Sequence, residues 1–273
     1  MANKEYRNEE WLKSQFDLHK TPSKISEITG YPRTCITRYA EKFNLYKKKY
    51  TRNKINYVDE NYFETIDSAE KAYFLGFIMA DGNIYKSKQD DKYQFSIKIK
   101  NTDKNILLKF ANAIGFDSKK IIERKETRNG SETWCAEIKI YNRIFCQHLI
   151  NKGVVPRKTG KEIMPNMNHE YKKDFIRGFI DGDGWLGQQH PQVGYCSSSF
   201  ELIAAITKHL RDELEIDLGI QKQSGVYVCK TSSKKKVYRI LNYLYYDNCI
   251  ALDRKHELAI KTRKFILEDL IGK

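Results

Sequence analysis

Tyr73-Phe-Leu-Gly-Phe-Ile-Met-Ala-Asp-Gly82 is followed about a hundred residues later by Phe175-Ile-Arg-Gly-Phe-Ile-Asp-Gly-Asp-Gly184. Aligned without a gap, the two stretches share Gly76/Gly178, Phe77/Phe179, Ile78/Ile180, Asp81/Asp183 and Gly82/Gly184. An internal repeat of this kind is a statement about architecture. Each copy reads as a short apolar helix, uninterrupted by Pro and with large residues on several faces. Gly76 and Ala80 lie four residues apart, as do Gly178 and Gly182. Two small residues on one stripe let a second helix approach closely, so the two helices are expected to be each other's partner. The apolar run is about half the roughly 20 residues a bilayer span needs, which excludes a membrane dimer motif.

Each copy ends on an acid followed by Gly, a residue type suited to a C-terminal cap. A carboxylate there faces the negative end of the helix macrodipole. If the helices pair, Asp81 and Asp183 also repel each other, and positive charge is expected between them. A hard divalent cation with oxygen ligands meets both demands, and carboxylate-held metals recur in phosphoryl chemistry. A single Asp-Gly helix end is more often a solvated C-terminus; retention of the acid in both copies favours the metal reading.

These residues resemble the signature of the LAGLIDADG homing endonucleases, with Asp81 and Asp183 on its metal-binding acid. The first copy departs from that pattern at Met79, where the second has Asp181; the difference is expected to touch packing or capping rather than metal. The resemblance covers roughly residues 60–270. It includes Gly153-Val-Val-Pro-Arg-Lys-Thr159 and Met164-Pro165, similar to the family's connection between halves. It implies a monomeric, pseudo-symmetric chain that binds a long double-stranded DNA site and hydrolyses phosphodiesters with Mg²⁺, or with Mn²⁺ in its place. Lys139 and Lys230, each at the end of the last strand of its half, are similar in position to the family's active-site lysine. Either could equally be an ordinary phosphate contact. An intron RNA maturase and a catalytically idle DNA-binding regulator are the alternative functions for the same scaffold.

The order of elements predicts an α+β chain of two αββαββα units, 57–160 and 161–273, behind a small all-α module at 1–56. In the first unit Lys92-Tyr-Gln-Phe-Ser-Ile-Lys-Ile-Lys100 alternates strictly. Tyr93, Phe95, Ile97 and Ile99 then share a core face. Lys92, Gln94, Ser96, Lys98 and Lys100 form a row of donors that could lie in a major groove.

The charge agrees with an anionic partner. The 273 residues carry 49 Lys and Arg against 35 Asp and Glu, a net +14, and residues 1–56 alone hold 13 against 6. Thr21-Pro22 starts a helix, and the Ser26 to Gly30 spacing resembles a helix-turn-helix. Ile25 and Ile28 are expected on the core side of the first helix, and Ile36, Tyr39 and Phe43 on that of the second. Arg33, Thr34, Thr37, Arg38 and Lys42 are left facing outward to reach bases or phosphates. The run Lys47-Lys-Lys-Tyr-Thr-Arg-Asn-Lys54 reads as a basic linker.

No amphipathic basic helix or lipidation motif points to a membrane. The beginning of the chain lacks the apolar core of a signal peptide, so a cytoplasmic protein is expected. Neither end carries the splicing residues of an intein. The six cysteines form no C-x-x-C pair and the six histidines are scattered, so no transition-metal site is expected.

Overall fold

A computed structural model describes residues 4–46, 58–87, 89, 92–128 and 130–271. The basic linker at 47–54 lies outside the described residues. The chain divides into two compact units, Met1–Ile55 and Asn56–Lys273.

Among its described residues the first unit contains three α-helices: α1 (Glu9–His19), α2 (Pro22–Thr29) and α3 (Arg33–Lys42). The first has no counterpart in the sequence reading, although its start is marked: the Asn8 side chain accepts a hydrogen bond from the Trp11 amide at 2.9 Å, with Glu9 and Glu10 in the first turn. Thr21 caps α2 in the same way, and Gly30 ends it at a φ of +73°. Tyr6, Leu12, Phe16, Ile25, Ile36 and Ala40 form the core. Ile28 does not belong to it. It is 52% exposed, because only one stripe of α2 meets the neighbouring helices and Ile25 occupies it. Tyr39 and Phe43 pack against the core while remaining partly exposed.

The second unit is α+β. Its first half runs α4 (Ala69–Asp81), β1 (Gly82–Lys86), β2 (Tyr93–Lys100), α5 (Lys104–Ala113), β3 (Ile122–Arg128), β4 (Ser131–Ile140) and α6 (Arg143–Asn151). The second half repeats it: α7 (Lys172–Asp183), β5 (Gly184–Leu186), β6 (Val193–Ser197), α8 (Phe200–Leu214), β7 (Ile220–Gln223), β8 (Val226–Thr231) and α9 (Lys234–Leu244), closed by α10 (Asp253–Ile271). Each half carries a four-stranded antiparallel sheet, ordered β1-β2-β4-β3 and β5-β6-β8-β7. Each first strand begins at the Gly that ends the helix before it, so the helix end and the sheet edge form one rigid corner.

Helices α4 and α7 form the centre, and they meet backbone to backbone. A Cβ on Gly76 would stand 1.9 Å from the Phe175 carbonyl oxygen, and one on Gly178 would stand 2.0 Å from that of Tyr73. Farther along, a Cβ on Gly182 would come within 2.3 Å of the Ala80 Cβ. The glycines after the acids serve a different purpose from the left-handed cap their type suggests. Gly82 has φ −74° and Gly184 φ −105°. Their side chains are excluded by space, since a Cβ would fall 2.6 Å from the Ile78 carbonyl oxygen or 2.7 Å from that of Ile180.

Three charged residues of the second central helix, Asp174, Arg177 and Asp181, are buried against expectation for their type. Arg177 is 1% exposed. Its guanidinium pairs with buried Asp174 at 2.7 Å, donates to the carbonyls of Ile250 and Leu244, and stacks over Tyr73 and Tyr246. The charge is therefore fully partnered, which is the condition for burying it.

Replacing Gly76 or Gly178 by Ala is expected to lower the melting temperature by about 2–12 °C, because overpacking a filled contact costs about 1–3 kcal/mol and a domain of this size shifts by about 2–4 °C per kcal/mol. Gly219, with nothing within 4 Å of its would-be Cβ, is the control: Gly219→Ala should melt within a degree or so of the parent. Calorimetry on the three variants checks the helix contact.

Candidate functional site

Asp81 and Asp183 are the last residues of α4 and α7. The Gly182–Ala80 contact carries the two helices side by side to their C-termini, and the site of a Cβ on Gly182 lies 3.2 Å from Asp81 Oδ2. Both carboxylates keep an edge open to solvent, yet protein surrounds them closely enough for desolvation to govern their acidity. Desolvation first and Asp183 second push the Asp81 carboxyl up to about 6, with Lys158 and Lys255 opposing. Asp183 is also raised by desolvation, opposed by Lys158 and Lys255, while Glu162 adds to the rise.

The cations that act on the acids were not among those singled out in the sequence. Lys158 Nζ donates to the carbonyls of Met79 and Ala80, the latter at 2.5 Å. Lys255 Nζ donates to the carbonyls of Ile180, Asp181 and Gly184 at 2.6–2.9 Å. Each ammonium therefore occupies the negative end of one central helix and donates to carbonyls gathered there. Burial pushes the Lys255 amine down to about 8 and also lowers Lys158. The positive charge expected between the acids is thus supplied in part by the protein itself. A sequence signal exists: Arg157-Lys158 and Arg254-Lys255 are the same dipeptide, 77 and 72 residues beyond Asp81 and Asp183.

Lys139 and Lys230 are placed differently. Lys139 points from the sheet face of β4 toward Glu137, 3.5 Å away, and Lys230 is an exposed residue of β8 opposite Gly194. Neither is among the groups that most strongly set the acidity of Asp81 or Asp183.

Asp181 is the structural acid of the second copy. It is 1% exposed and accepts hydrogen bonds from the Tyr73 and Tyr245 hydroxyls and the Leu252 amide, each at 2.8 Å. Burial raises its carboxyl despite these donors and Lys255. In the first copy the equivalent Met79 is simply buried in the core. Glu162, 7% exposed, is a third carboxylate near the pair; its Oε2 has no hydrogen-bond partner among the described residues.

A groove of about 750 Å³ opens beside Asp81 and Gly182 and is lined on its far side by Lys98, Lys100, Thr133 and Arg254. It joins the helix ends to the outward face of the first sheet. Lys92, Lys98 and Lys100 are exposed there, with Gln94 and Ser96 half-buried. That face is not a plain row of donors, because pairing with β4 and β3 brings acids onto it. Lys98 pairs with Glu126 at 2.8 Å, and Arg124 bridges Glu126 and Glu137 at 2.7 and 3.0 Å. In the first unit, α3 exposes Arg33, Thr34, Arg38 and Lys42, with Thr37 half-buried.

The donor set at the helix ends suits a hard divalent cation. Two carboxylates with raised pKa converge on a solvent-open edge, and among the described residues neither is engaged in an ion pair at contact distance. A bound cation would relieve the repulsion that remains between the carboxylates beside Lys158 and Lys255.

No family model matches the chain. In sequence it is similar to the DNA-directed RNA polymerase subunit Rpo1C of Methanocaldococcus jannaschii, 26% identical over 204 residues; the match covers 73% of this chain and only 21% of that subunit's length. An uncharacterized protein of the same organism is 24% identical over 216 residues, covering 77% of this chain and 68% of that one. In structure the chain is similar to the homing endonuclease I-WcaI bound to its DNA recognition sequence, with a TM-score of 0.53 at 12% identity, over 77% of this chain and 94% of the other. At that identity the likeness is one of fold.

The acidity of Asp81 makes a pH-dependent prediction. A carboxyl raised to about 6 binds its proton more tightly in the folded state than in the unfolded one, so its ionisation opposes folding. In metal-free protein, Asp81→Asn should raise the melting temperature at pH 8 by about 2–4 °C, after discounting for the solvent-open edge. The gain should shrink as pH falls from 6 and vanish below about 4, where both states are protonated. Melting curves of parent and variant across this range check it.

Proposed function

We propose that this chain is a site-specific double-strand DNA endonuclease whose cutting centre is the pair of helix ends carrying Asp81 and Asp183. The observation that carries the reading is the convergence of two solvent-open carboxylates, one from each half, with Asp81 at the rim of a groove continuous with a basic sheet face. Asp81 and Asp183 would hold Mg²⁺, or Mn²⁺, which when bound supplies an activated water and stabilises the leaving 3′ oxygen. The chain's own contribution is positional and electrostatic. The Gly76 and Gly178 contacts hold the two acids in fixed register. Lys158 and Lys255 offset part of the negative charge that a phosphodiester brings against two carboxylates. Lys139 and Lys230 would contact phosphates nearby.

On the first sheet, Lys92, Gln94, Ser96, Lys98, Lys100 and Arg124 offer donors to base edges, while Glu126 can accept from a cytosine amino group. The pseudo-symmetric halves would each read half of a long site as a monomer. The unit at 1–55 would extend the contact through Arg33, Thr34, Thr37, Arg38 and Lys42 on α3. The fold shared with I-WcaI, a homing endonuclease solved on its DNA, and the net charge of +14 support this reading.

Incubation of the purified chain with a randomised duplex library and Mg²⁺, followed by sequencing of the ends, should recover one long cleaved motif. EDTA should abolish the cutting. Asp81→Asn and Asp183→Asn should each reduce double-strand cleavage at least about a hundredfold while leaving duplex affinity within a few-fold. Retention of binding with no cutting by the parent chain in Mg²⁺ would favour a DNA-binding regulator instead.

Removing residues 1–55 should shorten the protected footprint at one end and flatten the salt dependence of binding, since each lost phosphate contact lowers the log–log slope by about 0.9. Footprinting and salt titration measure both.

A further inference from the structure

His169 stands in the single turn of 3₁₀ helix at His169–Tyr171 that leads into α7. His209 and Glu213 are four residues apart on α8 and so share one face of it. These three residues, 40 and 44 positions apart in the sequence, converge: one donor atom from each lies within 4.8 Å of the other two. The two imidazoles pack at 5.2 Å between centroids, and His169 Nε2 lies 3.1 Å from Glu213 Oε1. His209 is 8% exposed and its Nε2 is held 2.9 Å from the Tyr243 hydroxyl, which comes from α9.

We propose that His169, His209 and Glu213 form a binding site for a borderline divalent cation of the Zn²⁺ type, which clasps the start of α7 to α8. Two imidazoles and one carboxylate are a ligand set for Zn²⁺ rather than for Mg²⁺, which prefers oxygen alone. Ligands on a tetrahedral zinc, each about 2.0–2.1 Å from the ion, stand about 3.3 Å apart. Closing from the present spacing takes small side-chain rotations, and the two residues that would have to move, His169 and Glu213, are on the exposed side. Tyr243 supplies the outer contact that fixes the ring of the buried ligand. The three ligands line a groove of about 600 Å³ that also includes Met164, Lys172 and Asp212, which leaves room for water in the open coordination position.

An exposed His–Glu ion pair alone would need neither the second imidazole nor its hydroxyl partner. The site is also separate from the carboxylate pair. His169 precedes α7 and Asp183 ends it, so the helix rise puts roughly 20 Å between them. The cation would therefore act on stability, pinning the base of the second central helix to the helices that cover it.

The test uses the tag-free full chain carrying Asp81→Asn and Asp183→Asn, so that the carboxylate pair cannot contribute. Titration with Co²⁺ should give saturable binding of one equivalent with an intense visible absorption of low-coordinate nitrogen and oxygen ligation. Zn²⁺ should displace it and raise the melting temperature by about 3 °C or more. His169→Ala and Glu213→Gln, both at the exposed side, should each weaken Co²⁺ affinity by at least about tenfold and remove the absorption, with unchanged circular dichroism. Absence of saturable Co²⁺ binding, or binding and absorption unaltered in both variants, overturns the proposal.

Discussion

The unit at 56–273 depends on one contact, the passage of two peptide backbones past each other where neither helix has a side chain. At Gly76 and Gly178 the carbonyl of the opposite helix occupies the space a methyl group would need. A contact this short leaves little freedom in distance or rotation, because a shift of an ångström opens a void or a clash. Whatever the last residues of the helices carry is therefore held in a fixed relation. Here they carry Asp81 and Asp183, and each chain direction then turns through a Gly into the first strand of a sheet. The same contact thus fixes the acids relative to each other and each acid relative to its sheet.

Closeness of this kind has an electrostatic cost, since two helix C-termini and two carboxylates gather at one place. The fold answers it with two ammonium groups, Lys255 buried and Lys158 half-buried, each seated among the carbonyls of one helix end. Desolvation leads both shifts, driving these amines down and the carboxyl of Asp81 up, so the cluster keeps its charges at a cost in solvation. The two carboxylates still present an open edge with oxygen ligands, which suits a hard cation.

The halves are symmetric in order and unlike in chemistry. Met79 is core packing, whereas Asp181 gathers two tyrosine hydroxyls and a backbone amide. Leu75 is apolar, whereas its counterpart Arg177 is a buried cation paired with Asp174. The second half thus uses polar networks where the first uses apolar filling. Its additional helix α10 contributes Lys255, and the residue just before that helix contributes the Leu252 amide, to the base of the site.

Much of this was legible from the chain alone. The repeat, its small-residue stripe and the acid in both copies are local patterns, and local patterns determine which helices form, which faces are narrow and which residues end them. The alternation from Lys92 to Lys100 likewise fixes a strand and its buried side. What the sequence could not supply are relations between distant residues. Lys158 and Lys255 share an Arg-Lys dipeptide, yet nothing local to it ties either lysine to a helix end until folding seats them there. Glu126 and Glu137 join the donor face only through strand pairing. Arg177 looks exposed by type and is buried by its partners. Ile28 looks buried by spacing and is left outside by the narrow contact of α2. The histidines appear scattered because 169 and 209 are far apart in sequence, and only the packing of α8 beside the start of α7 brings them together. Periodicity is a property of one element, whereas charge compensation and ligand geometry belong to the packing between elements.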